Sequence, residues 1–400
     1  LIKLFLFLIQ CVAQPFLLLQ YFKKRKQLPP VKSKILFSSA TEIAEKIRRR
    51  EIRCVDVIAV YVERCKEVNP IINAIVESRF EESLQEAKAV DEFLKITTKT
   101  EEELAREMPL LGLPITVKES IAVKGMSYSV GVKEENPKKA DQDAHVVELV
   151  RNAGAIILLV SNTPELCFCW ETYNSVTGRT NNPYDTNRIS GGSSGGEAAL
   201  LGAGASLLSL SSDIGGSGRI PAMFCGVYGH KPSPGWVPVV GHKPYSTHEN
   251  WPSYFAIGSM TRYAEDLPLI LKVISQPDET HRVFEEKVSA SRNNRMRNFH
   301  HDRVSIPRPI EIRTFNFIIL AYYPFETLYN IGGFTHLMIY NVLGLPVTQC
   351  PIGFNEKGLP IGLQVIIVTN PGCDHLSIAV AQEIQKAFGG WRLPDSGKNV

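Results

Sequence analysis

The sequence lacks several features that would assign a protein to a class at once. It contains no Asn-x-Ser/Thr sequon, and its eight cysteines show no C-x-x-C spacing. Cys167 and Cys169 are too close together for the usual zinc-binding pair. We therefore expect single buried thiols rather than a metal site. The missing sequon favours a reducing compartment in which proteins are not glycosylated.

An excess of one charge is also missing. The chain has 44 Lys and Arg residues against 41 Asp and Glu residues, which gives a net charge of +3. This balance produces no overall attraction to nucleic acid, so we expect no nucleic-acid partner. Apolar residues make up 44% of the 400 residues and charged residues 21%. These values are typical of a globular protein with a large core.

Charge is entirely absent from one stretch near the start of the sequence. Leu4–Phe22 is uncharged, contains three glutamines and one proline, and is followed at once by the basic cluster Lys23–Lys26. A membrane-spanning helix needs about 20 mostly apolar residues, so this segment predicts a single-pass membrane anchor. A cleaved signal peptide is the alternative, but no A-x-A-like site precedes the basic cluster. The cluster predicts that the body of the protein lies on the cytosolic side.

Predicted helices and apolar strands alternate along the rest of the chain. Ser39 and Glu42 form the capping-box pattern S-x-x-E, which predicts a helix to Arg50. Lys95–Glu107 is predicted to be a charged linker. This alternation indicates an α/β fold. The other predicted elements are helices over Cys54–Val68, Arg79–Leu94, Ala144–Gly154 and Asp374–Phe388 and strands over Leu110–Val117 and Ala155–Val160.

Glycine is concentrated between Ser190 and Pro221. Two serine sites flanked by glycines lie there, Gly191–Gly196 (GGSSGG) and Gly215–Gly218 (GGSG). Between them we predict a helix over Glu197–Ala205 and a buried strand over Leu207–Ser212. The helix would carry the chain away and the strand would return it, so two hydroxyls could lie side by side. These glycines could be present only to form turns, which would be a purely structural explanation of the pattern. The presence of two such serine sites favours a functional explanation.

Three chemical interpretations of these serine sites need different surroundings. A phosphate-binding loop requires G-x-x-x-x-G-K-[ST], and Glu197 stands where the lysine is needed. Gly192–Gly196 fits the nucleophile elbow G-x-S-x-G, but an elbow follows a buried strand and Asn181–Ser190 is polar. The third interpretation has Ser217 as a nucleophile beside an oxyanion hole of main-chain amides, just before a helix that starts at Arg219. The amides of that hole belong to Ile214, Gly215, Gly216 and Ser217.

These sites resemble those of the amidase signature family. The resemblance rests on GGSSGGEAAL from Gly191, DIGGSGRIPA from Asp213, GHKPSPG from Gly229 and GLPITVKE from Gly112. It is strongest to the fatty-acid amide hydrolase 2 branch and covers roughly residues 39–276 and 340–391. It implies an α/β fold with a central mixed β-sheet covered by helices, and it implies no metal and no cofactor.

The resemblance also implies an amide hydrolase, with fatty-acid amides as substrates and a Ser-Ser-Lys triad that forms an acyl-enzyme. Ser217 would attack the carbonyl, Ser193 would transfer the proton and Lys118 would be the base. Lys118 would have to be neutral, so its pKa of about 10.4 would have to fall to about 7–8 through burial. The peptide bond between Gly192 and Ser193 would be cis. Ser194, Asp213 and Arg219 would support the site, and Cys167 would line the substrate pocket.

Two features depart from the family pattern. Gly218 stands where the family has a bulky aliphatic residue, and residues 276–335 are shorter than the helical lobe found there in the family. We divide the chain into an anchor with its basic flank (1–30), a first core part (36–275), a connector (276–335) and a C-terminal core part (336–395). His300, His301 and Asp302 suggest a metal site, but a solvated connector is the better interpretation.

The departures keep two alternatives open. One is a catalytically impaired membrane-associated homologue, and the other is an amidase of another substrate class, such as one that belongs to an amidotransferase. The expected partners are a small amide or lipid substrate and a membrane, and a homodimer is left open.

Overall fold

A large mixed β-sheet forms the centre of the protein. The structure, a computed structural model, describes residues 25–248, 251–275, 337–366 and 372–394. The strands in these ranges are β1 (Ile75–Ser78), β2 (Pro114–Lys118), β3 (Ile156–Ser161), β4 (Tyr173–Asn174), β5 (Gly178–Arg179), β6 (Leu208–Asp213), β7 (Tyr228–Lys231), β8 (Ala256–Thr261), β9 (Val347–Phe354) and β10 (Pro360–Ile366).

The order of strands across the main sheet is β1-β3-β2-β6-β8-β7-β9-β10, while β4 and β5 form a separate pair. β2 lies parallel to both β3 and β6. The other pairings in the sheet are antiparallel. The predicted mixed central sheet is therefore confirmed. Its middle strands β2, β3 and β6 are buried along their whole length. This explains why β2 and β3 are largely apolar in the sequence, whereas β6 (LSLSSD) also buries three serines and Asp213.

The helices that the sequence predicted are all present, with ends that differ by a few residues. The helices of the described ranges are α1 (Ala40–Arg48), α2 (Cys54–Ile72), α3 (Phe80–Ile96), α4 (Glu101–Glu107), α5 (His145–Asn152), α6 (Gly195–Gly202), α7 (Arg219–Phe224), α8 (Trp251–Tyr254), α9 (Asp266–Ile274) and α10 (Asp374–Phe388). Residues 337–342 are also helical. The Ser39 hydroxyl accepts a hydrogen bond from Glu42 N–H at the start of α1, as its pattern predicted.

The prediction of a charged linker over Lys95–Glu107 is wrong in its second half, because α4 lies there. The Thr100 hydroxyl accepts a hydrogen bond from Glu103 N–H, and the Glu103 carboxylate accepts one from Thr100 N–H. This reciprocal capping box starts the helix, and Leu104 is buried against the core. The high charge of the segment obscured both signals.

The helix predicted over Cys54–Val68, which stops just before Pro70, is longer in the structure. Proline removes one donor from the helical ladder, yet the helix continues through Pro70 to Ile72. It ends at Asn73, whose backbone is left-handed at a φ of 49° and whose N–H donates to Asn69 C=O at 2.8 Å. Asparagine tolerates this conformation better than most residues, so Asn73 sets the boundary.

The two parts of the chain that match the family belong to one sheet, because β9 pairs with β7. A buried carboxylate reinforces this connection. Asp374, the first residue of α10, accepts hydrogen bonds from Ser233 N–H at 2.8 Å and from the Ser233 hydroxyl at 2.5 Å. His230 Nε2 lies 3.1 Å from the same carboxylate. The GHKPSPG motif is thus held to the C-terminal helix.

Several predictions fall on residues beyond the described ranges. These are the membrane anchor Leu4–Phe22, the His300, His301 and Asp302 cluster, and the whole connector 276–335. Among the described residues, no helix has the length and apolar character needed to cross a membrane. The cysteines there are free thiols, and four of them are buried: Cys54, Cys65, Cys225 and Cys350.

Candidate active site

Lys118 is the last residue of β2, at the carboxyl end of a strand buried between β3 and β6. Its side chain is fully buried. The Nζ atom lies 2.6 Å from Ser193 Oγ and 2.9 Å from Ser212 Oγ. The sequence placed Lys118 at a strand end, and the structure confirms this and surrounds the amine with hydroxyls.

Burial lowers the pKa of Lys118 below its ordinary value, because an ammonium group loses its hydration inside the protein. The nearby Cys167 thiol and the carboxylates of Asp213 and Glu197 oppose this effect and do not reverse it. The lowered pKa favours a neutral amine, which is the form that can accept a proton.

Ser193 lies in a loop whose backbone only glycine can follow. Gly191 has a φ of +80°, and the peptide bond between Gly192 and Ser193 is cis, as the resemblance implied. A Cβ atom on Gly192 would lie 2.6 Å from Cys169 C=O, so any larger residue would displace the main chain. The glycines are therefore required to bring the Ser193 hydroxyl to the Lys118 amine.

Ser217 lies in a second loop that is organised by Asp213, the last residue of β6. The Asp213 carboxylate accepts hydrogen bonds from Gly216 N–H at 2.9 Å and from Gly218 N–H at 3.1 Å. Arg219 donates to both of its oxygens, from Nε and from Nη2, at 2.9 Å each. Both side chains are almost completely buried. Asp213 and Arg219 thus fix the shape of the loop.

Burial by itself would raise the pKa of Asp213, but the Arg219 charge and the hydrogen bonds outweigh it. The pKa of Asp213 is held well below its ordinary range. The carboxylate is therefore ionised at neutral pH and accepts the two amide hydrogen bonds of the loop.

The two serine loops are joined through the main chain. Ser194 N–H donates to Ser217 C=O at 3.1 Å. The Ser194 hydroxyl donates to Ser212 C=O at 3.3 Å, which ties the first loop to β6. Ser217 itself is 5% exposed. The structure therefore brings Lys118, Ser193 and the loop of Ser217 into one buried region.

The oxyanion hole stays a prediction, and one of its four amides already has a partner. Gly216 N–H donates to the Asp213 carboxylate, so it would have to leave that bond to stabilise an oxyanion. Gly215 C=O accepts a hydrogen bond from Trp170 Nε1 at 3.1 Å, which fixes the peptide unit between Gly215 and Gly216. Ile214 is 41% exposed. The amides of Ile214, Gly215 and Ser217 are the better candidates.

Cys167 lies beside the base. Its thiol interacts with the Lys118 amine and lies 3.4 Å from the Thr163 hydroxyl. The residue is partly exposed, whereas Lys118 is fully buried. This position is compatible with the predicted pocket-lining role, which stays a prediction.

Glu197, which argued against a phosphate-binding loop, is fully buried in α6. The Thr116 hydroxyl donates to its carboxyl group. Burial raises the pKa of Glu197 to about 7. A buried carboxyl group at this position supplies no positive charge for a phosphate, which is consistent with the rejection of that interpretation.

Sequence reasoning missed a group of residues around the lysine and the nucleophile loop. Ser212 contacts the Lys118 amine, and His242 Nε2 lies 3.0 Å from the hydroxyls of both Ser212 and Ser120. The signal available for Ser212 was its place directly before Asp213. For His242 the sequence offered no signal, because it lies in a proline-containing loop outside the motifs.

Asn341 was missed as well, and it ties the C-terminal core part to the nucleophile loop. Its side-chain amide donates to Asp213 C=O at 3.2 Å and to Tyr254 C=O at 2.9 Å. Its Oδ1 atom accepts a hydrogen bond from Arg219 Nη2 at 2.8 Å. The residues after the connector therefore complete the support of the Ser217 loop.

Comparison with known proteins places the chain beside amide-hydrolysing relatives. A family model described as Amidase matches residues 56–310. The chain is 32% identical to fatty-acid amide hydrolase 2 of Homo sapiens, over 97% of this chain and 96% of that protein. It is 36% identical to a glutamyl-tRNA(Gln) amidotransferase component of Nitratidesulfovibrio vulgaris, over 60% of this chain and 46% of that protein.

A solved structure of a fatty acid amide hydrolase has the same fold. It superposes with a TM-score of 0.70 and 20% identity, and the match covers 91% of this chain and 87% of that one. The alignment with the human relative spans 514 positions. Because the chain has only 400 residues, part of that alignment consists of gaps in this chain.

The structure generates a prediction about Gly218. Its φ of −92° suits any residue, and a Cβ atom there would lie 3.4 Å from Ser211 Oγ, an ordinary contact. We expect Gly218→Ala to raise the free energy of unfolding by about 0.4–1 kcal/mol, because alanine restricts the unfolded chain. Urea unfolding of the purified protein measures this change.

Gly216→Ala is the matched control. Gly216 has a φ of +101°, and its Cβ atom would lie 2.8 Å from Ile220 Cδ1, so this variant should lose stability. A loss of stability in Gly218→Ala similar to that in Gly216→Ala would contradict the prediction.

Proposed function

The chain belongs to the amidase family and is an amide-hydrolysing enzyme, and we propose that it cleaves fatty-acid amides with a Ser-Ser-Lys triad of Ser217, Ser193 and Lys118. One observation carries the proposal. The buried amine of Lys118, whose pKa is lowered, lies 2.6 Å from the Ser193 hydroxyl. The loop that contains Ser193 is joined to the Ser217 loop by a main-chain hydrogen bond from Ser194 N–H to Ser217 C=O.

In the proposed reaction Lys118 begins as a neutral amine and accepts the proton of Ser193. Ser193 takes the proton of Ser217 at the same time, and Ser217 Oγ forms a bond to the carbonyl carbon. The proton then returns through Ser193 to the nitrogen of the leaving amine as the C–N bond breaks. Water repeats the sequence on the acyl-enzyme and releases the carboxylic acid.

The main chain around Ser217 would stabilise the negative charge that develops on the carbonyl oxygen. Preorganised amides can contribute about 2.7–4 kcal/mol per donor to the transition state. Asp213 and Arg219 hold these amides in place before substrate binds. Their role in the proposal is structural support of the loop, not proton transfer.

A fatty-acyl substrate is supported by the relative that covers nearly the whole chain and by apolar side chains near the nucleophile loop. Ile220 and Leu337 form a buried pair against which Trp170 and Phe224 pack. The Met338 side chain lies against Gly215, 3.2 Å from the place where a Cβ atom would be. An amidotransferase-like substrate is less well supported, because the match to that relative covers under half of its length.

We also propose that the first core part (36–275) and the C-terminal core part (336–395) form the catalytic body, with 276–335 as a connector between them. The pairing of β7 with β9 and the contacts of Asn341 support this division. Leu4–Phe22 is proposed to attach the enzyme to a membrane, because it is uncharged and is followed by a basic cluster.

The triad is tested by single substitutions. We expect Ser217→Ala and Lys118→Ala to abolish hydrolysis of decanoyl p-nitroanilide and labelling by a fluorophosphonate probe, because the nucleophile or the base is gone. Ser193→Ala should slow both severely. Ser194→Ala is the matched control and should cost less, since its hydroxyl bonds only main chain. If activity survives in Ser217→Ala and is lost in Ser194→Ala, the proposed triad is wrong and Ser194 is the nucleophile.

Acyl-chain length is tested with p-nitroanilides from acetyl to palmitoyl. Each fully buried methylene contributes about 0.8 kcal/mol, or about fourfold in binding. Because residues 276–335 are shorter than the family's lobe, we expect kcat/KM to rise with chain length by much less than this factor. A steep rise that continues to palmitoyl would show a complete acyl channel, and failure to cleave long chains would exclude the fatty-acid class.

Membrane attachment is tested by carbonate extraction. We expect the full chain to stay with membranes at alkaline pH, and a form that starts at Val31 to be released more readily. Release of the full chain to the same extent as the shortened form would disprove the anchor. Both forms should label with the fluorophosphonate probe, which shows that they are folded.

A further inference from the structure

His242 lies next to the active site but outside every motif that the sequence supplied. Its side chain is buried, and its ring packs against Phe255 with a centroid distance of 4.5 Å. The polar groups around the ring are the Pro244 carbonyl and the hydroxyls of Ser120 and Ser212.

The Pro244 carbonyl decides which ring nitrogen carries the proton. His242 Nδ1 lies 3.0 Å from Pro244 C=O, and a carbonyl can only accept a hydrogen bond. Nδ1 must therefore be protonated. Burial is the main reason that the pKa of His242 is lowered, to about 3, so the ring is neutral and Nε2 presents a lone pair.

The Nε2 lone pair in turn sets the direction of the Ser212 hydroxyl. Nε2 lies 3.0 Å from both Ser212 Oγ and Ser120 Oγ, and its one lone pair accepts one proton at a time. When it accepts from Ser212, the Ser212 proton points towards the ring. The oxygen of Ser212 then has its lone pairs free to accept a hydrogen bond from the Lys118 amine, 2.9 Å away. A neutral amine has two hydrogens and one lone pair. When one of its hydrogens donates a hydrogen bond to Ser212, its lone pair can face the Ser193 hydroxyl, 2.6 Å away.

We propose that His242 is a positioning residue for amide hydrolysis, which orients the Lys118 lone pair towards Ser193 through the hydroxyl of Ser212. The hydrogen bonds then all run in one direction, from Ser193 to Lys118, Ser212, His242 and the Pro244 carbonyl. The proposal rests on the proposed function, because it assumes that Lys118 is the base.

Without an acceptor at Nε2, the Ser212 proton would be free to turn towards the Lys118 amine. Ser212 and Ser193 would then compete for one lone pair, and only part of the enzyme would be ready to accept the Ser193 proton. The loss would appear in kcat and not in substrate binding, because Ser212 and His242 are both buried behind the lysine.

The Ser120 hydroxyl also lies 3.0 Å from His242 Nε2, so it can donate to the same lone pair as Ser212. The path from His242 to the amine runs through Ser212. Ser120 can therefore be removed without breaking that path. Ser120→Ala is a matched control for the loss of a hydroxyl at this ring.

The test is a double-mutant cycle with decanoyl p-nitroanilide. We expect His242→Phe, which keeps a ring against Phe255, and Ser212→Ala each to lower kcat on the order of 10- to 100-fold with KM changed by less than about threefold. The double variant should be no slower than the slower single variant, because His242 acts through Ser212. His242→Gln, whose amide can donate to Pro244 and accept from Ser212, should restore most of kcat. Ser120→Ala should keep it.

Losses that multiply in the double variant, or a His242→Gln variant that is folded and as slow as His242→Phe, would overturn the proposal. If thermal unfolding shows that His242→Phe is not folded, the kcat of Ser212→Ala alone tests the proposal. A Ser212→Ala variant with the kcat of the unchanged enzyme then overturns the proposal. The Ser217→Ala variant distinguishes failure of the proposed triad from failure of the role of His242. If Ser217→Ala keeps activity the proposed triad fails, whereas loss in Ser217→Ala with full activity in Ser212→Ala rejects only the role of His242.

Discussion

The structure around the site depends on a lysine amine that is removed from water and surrounded by hydroxyls. Lys118 reaches this position because β2 is a central strand with neighbours on both sides, so its last residue lies inside the protein. Removal from water disfavours the ammonium form. The two nearest hydroxyls, of Ser193 and Ser212, can each donate or accept a hydrogen bond. They can therefore pair with a neutral amine, whereas a carboxylate in their place would keep the amine charged.

Asp213 is also buried, but its surroundings favour the charged form, whereas those of Lys118 favour the neutral form. Asp213 stays ionised because Arg219 binds both of its oxygens and two loop amides complete its hydrogen bonds. Removing one member of such a pair typically costs about 3–5 kcal/mol, because the other is left buried and unpaired. Asn341 adds a contact from the C-terminal core part to both residues. The Ser217 loop therefore takes its support from both parts of the core.

Much of the fold could be predicted because its signals are local. The helix at Ser39 follows a capping pattern, and β2 and β3 are short, largely apolar runs. The errors also have local causes. The charge of Lys95–Glu107 concealed the capping box at Thr100. The helix α2 runs past its predicted end at Val68 and through Pro70, because Asn73 ends it. Gly218 departs from the family residue, yet the backbone there does not require glycine.

The sequence by itself determined the family, the loop glycines and the residue types of Lys118, Ser193 and Ser217, because these lie in short motifs with fixed spacing. Only the tertiary structure decided which other groups touch them. Ser212 is 94 residues from Lys118 in the chain, and His242 is 122 residues from Ser120. Asn341 is 128 residues from Asp213. Such contacts depend on the register of β2 against β6 and on how the loop after β7 packs over the strand ends, and a one-residue shift in a strand would turn each side chain to the other face.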